Sequence, residues 1–241
     1  MELKHLKAAT VSLPERLNHE TLRIVHHELQ EFASSSCKVL LLNGSESCFC
    51  RGMDFSAHGN GNSSDSGPKM FADLLYMLYR LPKIVVAVVD GEAIGGGVGI
   101  AASADYALAT ERASFSLPEA VFALSPAICF PLLRRRMKEQ KLRAWSLSAS
   151  RIEASQALEW QLVDKLVSVD EIGPTIQKIL RDSNRIAEES IAMIKQNKST
   201  THDRLREELD NAVITTATAL QTDSAKKRIK AWQRGDAPWL C

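Results

Sequence analysis

Residues 83–89 read Lys-Ile-Val-Val-Ala-Val-Val, and Gly95-Gly96-Gly97 follows six residues later, ahead of small residues up to Ala104. A run of apolar, mostly β-branched residues with no polar face suits a strand buried on both sides. Three glycines behind such a strand let the backbone turn sharply and let another backbone or a ligand come close. Strand, tight turn and helix in this order point to an α/β fold. The first amides of the helix are unpaired and lie at the positive end of its dipole. That arrangement suits developing negative charge. The same glycines equally suit a purely structural strand-to-helix turn. The GxGxxG spacing of a dinucleotide site is absent.

The neighbouring segments extend the α/β pattern. Residues 6–13 are expected as a strand ended by Pro14. Asn18 is placed to cap a helix over 19–33, with Leu22, Val25, Leu29 and Phe32 on one face. A short strand is expected over 38–43, then a turn-rich connection over 45–54. Residues 58–68 (HGNGNSSDSGP) hold nothing to bury and are expected to form a mobile loop, a candidate lid. Helical spacing returns over 70–81, with Phe71, Leu74, Leu75 and Leu78 facing inward. Two short strands are expected over 105–110 and 113–116. From Pro126 onward the pattern is mainly helical: a short helix over 153–160, a last strand over 166–169, and long helices over 172–187 and 200–220.

Composition narrows the function classes. Hydrophobic residues make up 45% of 241, enough for a full core and against disorder of the whole chain. Thirty Lys and Arg against twenty-nine Asp and Glu leave a net charge of +1, which gives no global pull toward nucleic acid or a membrane surface. The longest apolar run, 84–89, is too short to span a bilayer. No secretory leader is expected at the N-terminus. The cysteines (Cys37, Cys48, Cys50, Cys129 and Cys241) are odd in number and match no zinc spacing. Reduced thiols in a cytoplasmic protein are expected.

Two further segments carry candidate chemistry. Cys50-Arg51-Gly52-Met53-Asp54 alone reads as one more turn after a strand. In Ser116-Leu117-Pro118-Glu119, a proline precedes a carboxylate and Ala120-Val121-Phe122-Ala123-Leu124 follows. Desolvation in such a setting raises a carboxyl pKa and makes a better general base. A plain acid in a first helical turn fits the same residues.

Taken in order, these segments resemble the crotonase superfamily of enoyl-CoA hydratases and isomerases. The resemblance runs through Phe49 to Phe55, Gly91 to Gly97, Ala104-Asp105, Ala113 to Glu119, Gln140-Lys141 and Glu153 to Asp164. It implies a repeated ββα spiral core, taken as 1–187, and a C-terminal helical region, taken as 188–241, that supports a homotrimer or a dimer of trimers. It also implies an acyl thioester substrate on coenzyme A or on the phosphopantetheine arm of an acyl carrier protein. No metal or redox cofactor is implied. The two backbone N–H groups that hold the thioester oxygen in the family fall on Met53 and Gly96. Family hydratases carry two catalytic glutamates; the second matches Glu119, while the first position is Gly99 here. Gln161 and Lys138 also depart from the family, which has glycine at both places.

Within the superfamily the chain is most similar to the dehydratases of polyketide β-branching cassettes. The shared features are the absent first glutamate, Phe115-Ser116-Leu117, Phe122 to Ala127, Pro131 to Arg135 and Pro238-Trp239. This resemblance implies a lyase that removes water from 3-hydroxy-3-methylglutaryl on an acyl carrier protein, giving 3-methylglutaconyl thioester. The alternatives are a Δ3,Δ2-enoyl-CoA isomerase or enoyl-CoA hydratase acting on coenzyme A esters, and a thioester-binding paralogue without catalysis. Candidate pocket residues are Tyr76, His58 and Cys129, each with a plainer role as core edge, surface histidine or small buried residue. The basic runs at 134–143 and 226–234 are candidate docking faces for an acidic carrier, or solvated helix faces.

Overall fold

The computed structural model describes residues 8–45, 47–54, 66–196 and 200–240. Strand β1 (Ala8–Ser12) leads into helix α1 (His19–Ala33). Asn18 caps this helix in a reciprocal box with Thr21, and Leu22, Val25, Leu29 and Phe32 are its buried face, as the spacing predicts. A two-strand, one-helix unit then follows: β2 (Val39–Asn43), β3 (Cys48–Cys50) and α2 (Ser66–Arg80). The unit recurs as β4 (Ile84–Val89), β5 (Glu92–Ile94) and α3 (Gly96–Ser103). Strands β6 (Tyr106–Ala109) and β7 (Ser114–Ser116) open a third turn of the spiral.

Beyond a 3-10 turn at Pro118–Phe122 lie α4 (Phe130–Leu133), α5 (Glu139–Ser148), β8 (Arg151–Glu153), α6 (Ala154–Glu159) and β9 (Lys165–Leu166). Four α-helices follow, α7 (Val169–Asn184), α8 (Glu188–Gln196), α9 (Thr200–Gln221) and α10 (Asp223–Gln233), and a 3-10 turn at Pro238–Leu240 ends the described chain.

The first strand of each unit joins one sheet, in the order β1-β2-β4-β6-β9, and all its pairs are parallel. The second strand joins another sheet, β3-β5-β7-β8, closed by the antiparallel β7–β8 pair. All six residues of β4 are buried because its two faces meet two different cores. Val85, Ala87 and Val89 pack into the main core with α1, α2 and α3. Ile84, Val86 and Val88 pack into a second one with Leu180 of α7 and Ile191 of α8. Burying a Val or Ile side chain this way contributes about 1.5–3 kcal/mol. Leu205, Leu209 and Ala212 bring α9 into the main core as well. Asp105 fastens α8 to the sheet: its carboxylate accepts from Val85 N at 2.7 Å and from Lys195 Nζ at 2.7 Å.

Several expectations are corrected. The connection over 45–54 contains a strand, β3, whose partners lie over forty residues away on β5. The low-complexity stretch ends sooner than expected, because Ser66, Gly67 and Pro68 form the first turn of α2. Proline is tolerated there since first-turn amides lack helical partners. The rest of that stretch, with the lid assignment and His58, lies outside the described residues. The strand expected over 166–169 ends at Leu166, and Val169 already opens α7. Residues 151–153, not foreseen as a strand, form β8. Gln161 adopts a left-handed φ of 65°, which explains why glycine suits that place. Lys138 is an ordinary extended residue at φ −63° ahead of α5.

Two members of the basic run at 134–143, Arg135 and Arg136, turn into the fold, while Arg134, Lys138, Lys141 and Arg143 stay exposed. Arg136 is inserted into the fold: Nε donates to Ala102 O at 3.0 Å, Nη2 to Ala104 O at 2.6 Å, and Nη1 reaches Asp164 at 3.0 Å. Arg135 pairs with Glu208 of α9 at 2.7 Å. A planar fork reaches acceptors spread over Ala102, Ala104 and Asp164 from three separate nitrogens, and the single nitrogen of a lysine does not match that spread. Arg136→Lys is therefore expected to lower unfolding stability by about 2 kcal/mol. Arg143→Gln, on the exposed side of α5, should change it by less than about 0.5 kcal/mol. Urea denaturation of the two variants checks both.

Candidate active site

The site is built on close backbone contact. At Gly95 the chain leaves β5 with φ 53°, and its N–H donates to Ser116 O at 2.9 Å. Helix α3 then starts at Gly96 and is buried along its whole length. A methyl group on Gly97 would run into the Cys50 carbonyl oxygen. Gly52 has φ 72°, and a methyl group there would lie 2.7 Å from Gly96 N. Only glycines let the end of β3 lie this close to the start of α3. The next residue, Met53, is thereby held beside Gly96.

The strand end is clamped from a second side. Arg51 N donates to Glu15 O at 2.7 Å, Leu17 N to Gly52 O at 2.8 Å and Asp54 N to Leu17 O at 2.8 Å. The Arg51 guanidinium pairs with Glu15 and, at 3.0 Å, with Glu92. Among the described residues no backbone carbonyl accepts from the N–H of Met53 or of Gly96. Unpaired amides of this kind are potential donors to a ligand oxygen.

A cavity of about 90 Å³ opens in front of these amides. Met53, Gly95, Gly96, Glu119 and Cys129 all line it. Phe71, Ile94, Phe122, Leu124 and Ile128 make much of the remaining wall apolar, and Arg51, Ser125 and Thr216 also line it. Glu119 enters from the 3-10 turn, where Pro118 precedes it. Its Oε1 lies 2.8 Å from where a Cβ on Gly95 would stand, so the carboxyl rests against the glycine turn. Its Oε2 is buried and has no hydrogen-bond partner. Burial pushes the Glu119 pKa up to about 7, countered only by its own backbone N–H. A carboxyl balanced between its two protonation states near neutrality can take a proton and return it.

The turn that carries Glu119 is held by α10. Arg228 Nη1 donates to Val121 O at 2.8 Å, and the Phe122 ring meets Trp232 edge-on with centroids 6.1 Å apart. Arg16 covers the Trp232 ring at 5.7 Å. Of the second basic cluster, Arg228 is thus partly buried and structural, while Lys226, Lys227 and Lys230 are exposed.

Cys129 occupies the space in front of Gly99. Its thiol donates to Gly95 O at 3.6 Å, and burial raises its pKa well above the ordinary value. A Cβ on Gly99 would be 2.7 Å from Cys129 Sγ and 3.4 Å from Leu75 Cδ1. The position therefore has no room for a second acid. Gly99→Ala is expected to cost about 1–3 kcal/mol through overpacking. Adding Cys129→Ala should recover most of that loss, so the pair is strongly non-additive in thermal or urea unfolding.

Tyr76 is not brought to the cavity. It sits off the inward face of α2, with Arg206 stacked on its ring at 5.3 Å. Thr216 of α9, which the sequence did not single out, does line the cavity. Among the described residues no three His, Cys, Asp or Glu side chains are grouped to hold a metal ion, and no helix is long and apolar enough to cross a membrane.

The family model for enoyl-CoA hydratase/isomerase matches residues 10–239, and the chain belongs to that family, in the crotonase superfamily. Among its relatives, the bacillaene synthase dehydratase PksH of Bacillus subtilis is 29% identical, over 98% of this chain and 90% of that protein. A carnitinyl-CoA dehydratase of Salmonella arizonae is 32% identical, over 71% of this chain and 67% of that protein. The fold agrees with the crystal structure of the polyketide biosynthesis enoyl-CoA hydratase (pksH) of Bacillus subtilis, at TM-score 0.85 and 24% identity over 95% of this chain and 94% of that one. An enoyl-CoA hydratase of Mycobacterium avium matches at TM-score 0.85 and 21% identity, over 97% and 94% of the two chains.

Proposed function

We propose that this protein is a lyase that removes water from a branched 3-hydroxyacyl thioester, 3-hydroxy-3-methylglutaryl on an acyl carrier protein, to give the 3-methylglutaconyl thioester. The observation that carries the reading is the lone buried carboxyl of Glu119, set against the glycine turn in a largely apolar cavity. The near end-to-end similarity to a dehydratase named for bacillaene synthase supports the same class of reaction.

The N–H groups of Met53 and Gly96 donate to the thioester oxygen. Glu119 takes the α-proton, and the electron pair moves onto that oxygen as an enolate. The enolate re-forms the carbonyl, the Cα–Cβ double bond forms and the Cβ–O bond breaks. Glu119 then gives its proton to the departing hydroxyl, which leaves as water. Each donor to the enolate oxygen contributes on the order of 3 kcal/mol to lowering the barrier. The steps use proton transfers alone. A single acid-base group that works on one face of the substrate needs no carboxyl at position 99, where Cys129 fills the space.

The exposed Lys226, Lys227 and Lys230 on α10 offer charge complementary to an acidic carrier. We also assign the helical region 188–241 to assembly of a homotrimer or a dimer of trimers, and native mass spectrometry would read which of the two forms. The function is tested by intact-mass spectrometry of an acyl carrier loaded with 3-hydroxy-3-methylglutaryl. Loss of one water on incubation with the protein is expected. An unchanged mass on the carrier, with double-bond migration in a Δ3-enoyl-CoA ester instead, would move the assignment to an isomerase.

A further inference from the structure

Thr216 lines the cavity that holds Glu119 and carries, like Glu119, a buried polar atom without a partner. Its Oγ1 is shut off from solvent and has no hydrogen-bond partner, although the residue lies inside α9, before its last turn. A threonine inside a helix ordinarily turns its hydroxyl back to the carbonyl four residues earlier. The adjacent Thr215 does so, donating to Asn211 O at 3.0 Å. Thr216 instead lines the cavity, whose wall is otherwise mainly apolar. Buried hydroxyls are nearly always paired, so an orphan facing a cavity marks a place where a ligand supplies the partner.

We propose that Thr216 is a specificity residue that hydrogen-bonds the hydroxyl oxygen on the β-carbon of the acyl chain. The inference rests on the dehydratase reading above and deepens it. In that reading the thioester oxygen takes the two amides and the α-carbon faces Glu119. Besides the position that meets Glu119, the β-hydroxyl has a further hydrogen-bonding position, which those contacts leave open. A hydroxyl at position 216 can both donate to it and accept from it. An acyl chain lacking the β-hydroxyl would leave Thr216 buried and unpaired, so such a chain is discriminated against.

The test uses two inert pantetheine amides, which share the arm common to coenzyme A and carrier proteins. One bears the 3-hydroxy-3-methylglutaryl group and the other the 3-methylglutaryl group. Titration calorimetry of the wild type should show a preference of about tenfold or more for the hydroxylated amide. Thr216→Val keeps the shape and removes the hydroxyl; it should abolish the preference and leave affinity for the 3-methylglutaryl amide unchanged. Thr216→Ser should retain the preference. A wild type that binds neither amide or does not distinguish them overturns the proposal. So does a Thr216→Val variant that keeps the preference, or that weakens both amides alike, as a plain wall residue would. Because the amides do not turn over, this result is independent of whether the thioester is dehydrated.

Discussion

Glu119→Gln is expected to lower kcat/KM for dehydration by roughly 10²–10⁴-fold, the range lost with a positioned acid-base group. The wild-type profile should rise tenfold per pH unit and level off near pH 7, because the carboxylate form is the base and burial holds the pKa at about 7. The residual activity of Glu119→Gln should lack that limb. Steady-state kinetics from pH 5.5 to 8.5 on both proteins checks the slope and the loss together. A wild-type profile flat over that interval would remove Glu119 from the proton transfer.

The same carboxyl weakens the fold, with a sign opposite to that of a salt-bridged acid. Its folded pKa, about 7, lies above the ordinary glutamate value of 4.5. Between these values the folded state holds more protons than the unfolded one, so stability falls as pH rises. The penalty is absent below about pH 4.5 and complete above about pH 7, where it reaches about 3 kcal/mol. Glutamine has the shape without the charge. Glu119→Gln should therefore be more stable than wild type by about 3 kcal/mol at pH 8, and the difference should vanish near pH 4.5. Urea unfolding at the two pH values measures it. A variant that is inactive yet more stable separates a functional carboxyl from a structural one.

What the sequence made legible follows how local each signal is. Helix α1 was readable because Asn18, Thr21 and the inward face of Leu22, Val25, Leu29 and Phe32 lie within one segment. Strand β4 was readable because both its faces are apolar. Gly95 to Gly97 marked the site because only glycine survives contact with Cys50 and the Gly52 turn. Strands β3 and β8 were missed: each has three residues, and each is defined by a partner distant in sequence. The inward turn of Arg136 was hidden in a run that reads as solvated, since its acceptors are carbonyls of Ala102 and Ala104. Thr216 was invisible for the same reason: nothing near it distinguishes it from Thr215, and the cavity it faces is assembled from other turns of the spiral.

The turn bearing Glu119 is gripped by Arg228, whose bond to Val121 spans 107 residues of chain. A chain emerging from the ribosome meets its own parts in order, so the spiral can close before that grip exists. The turn that carries the Glu119 carboxyl then gains its last hold only with the C-terminal helix α10. A nascent chain can be nearly folded with this turn still unheld, and on the proposed function turnover is expected to begin only when α10 docks. Fraying of α10 in the finished protein would silence it again without disturbing the sheets.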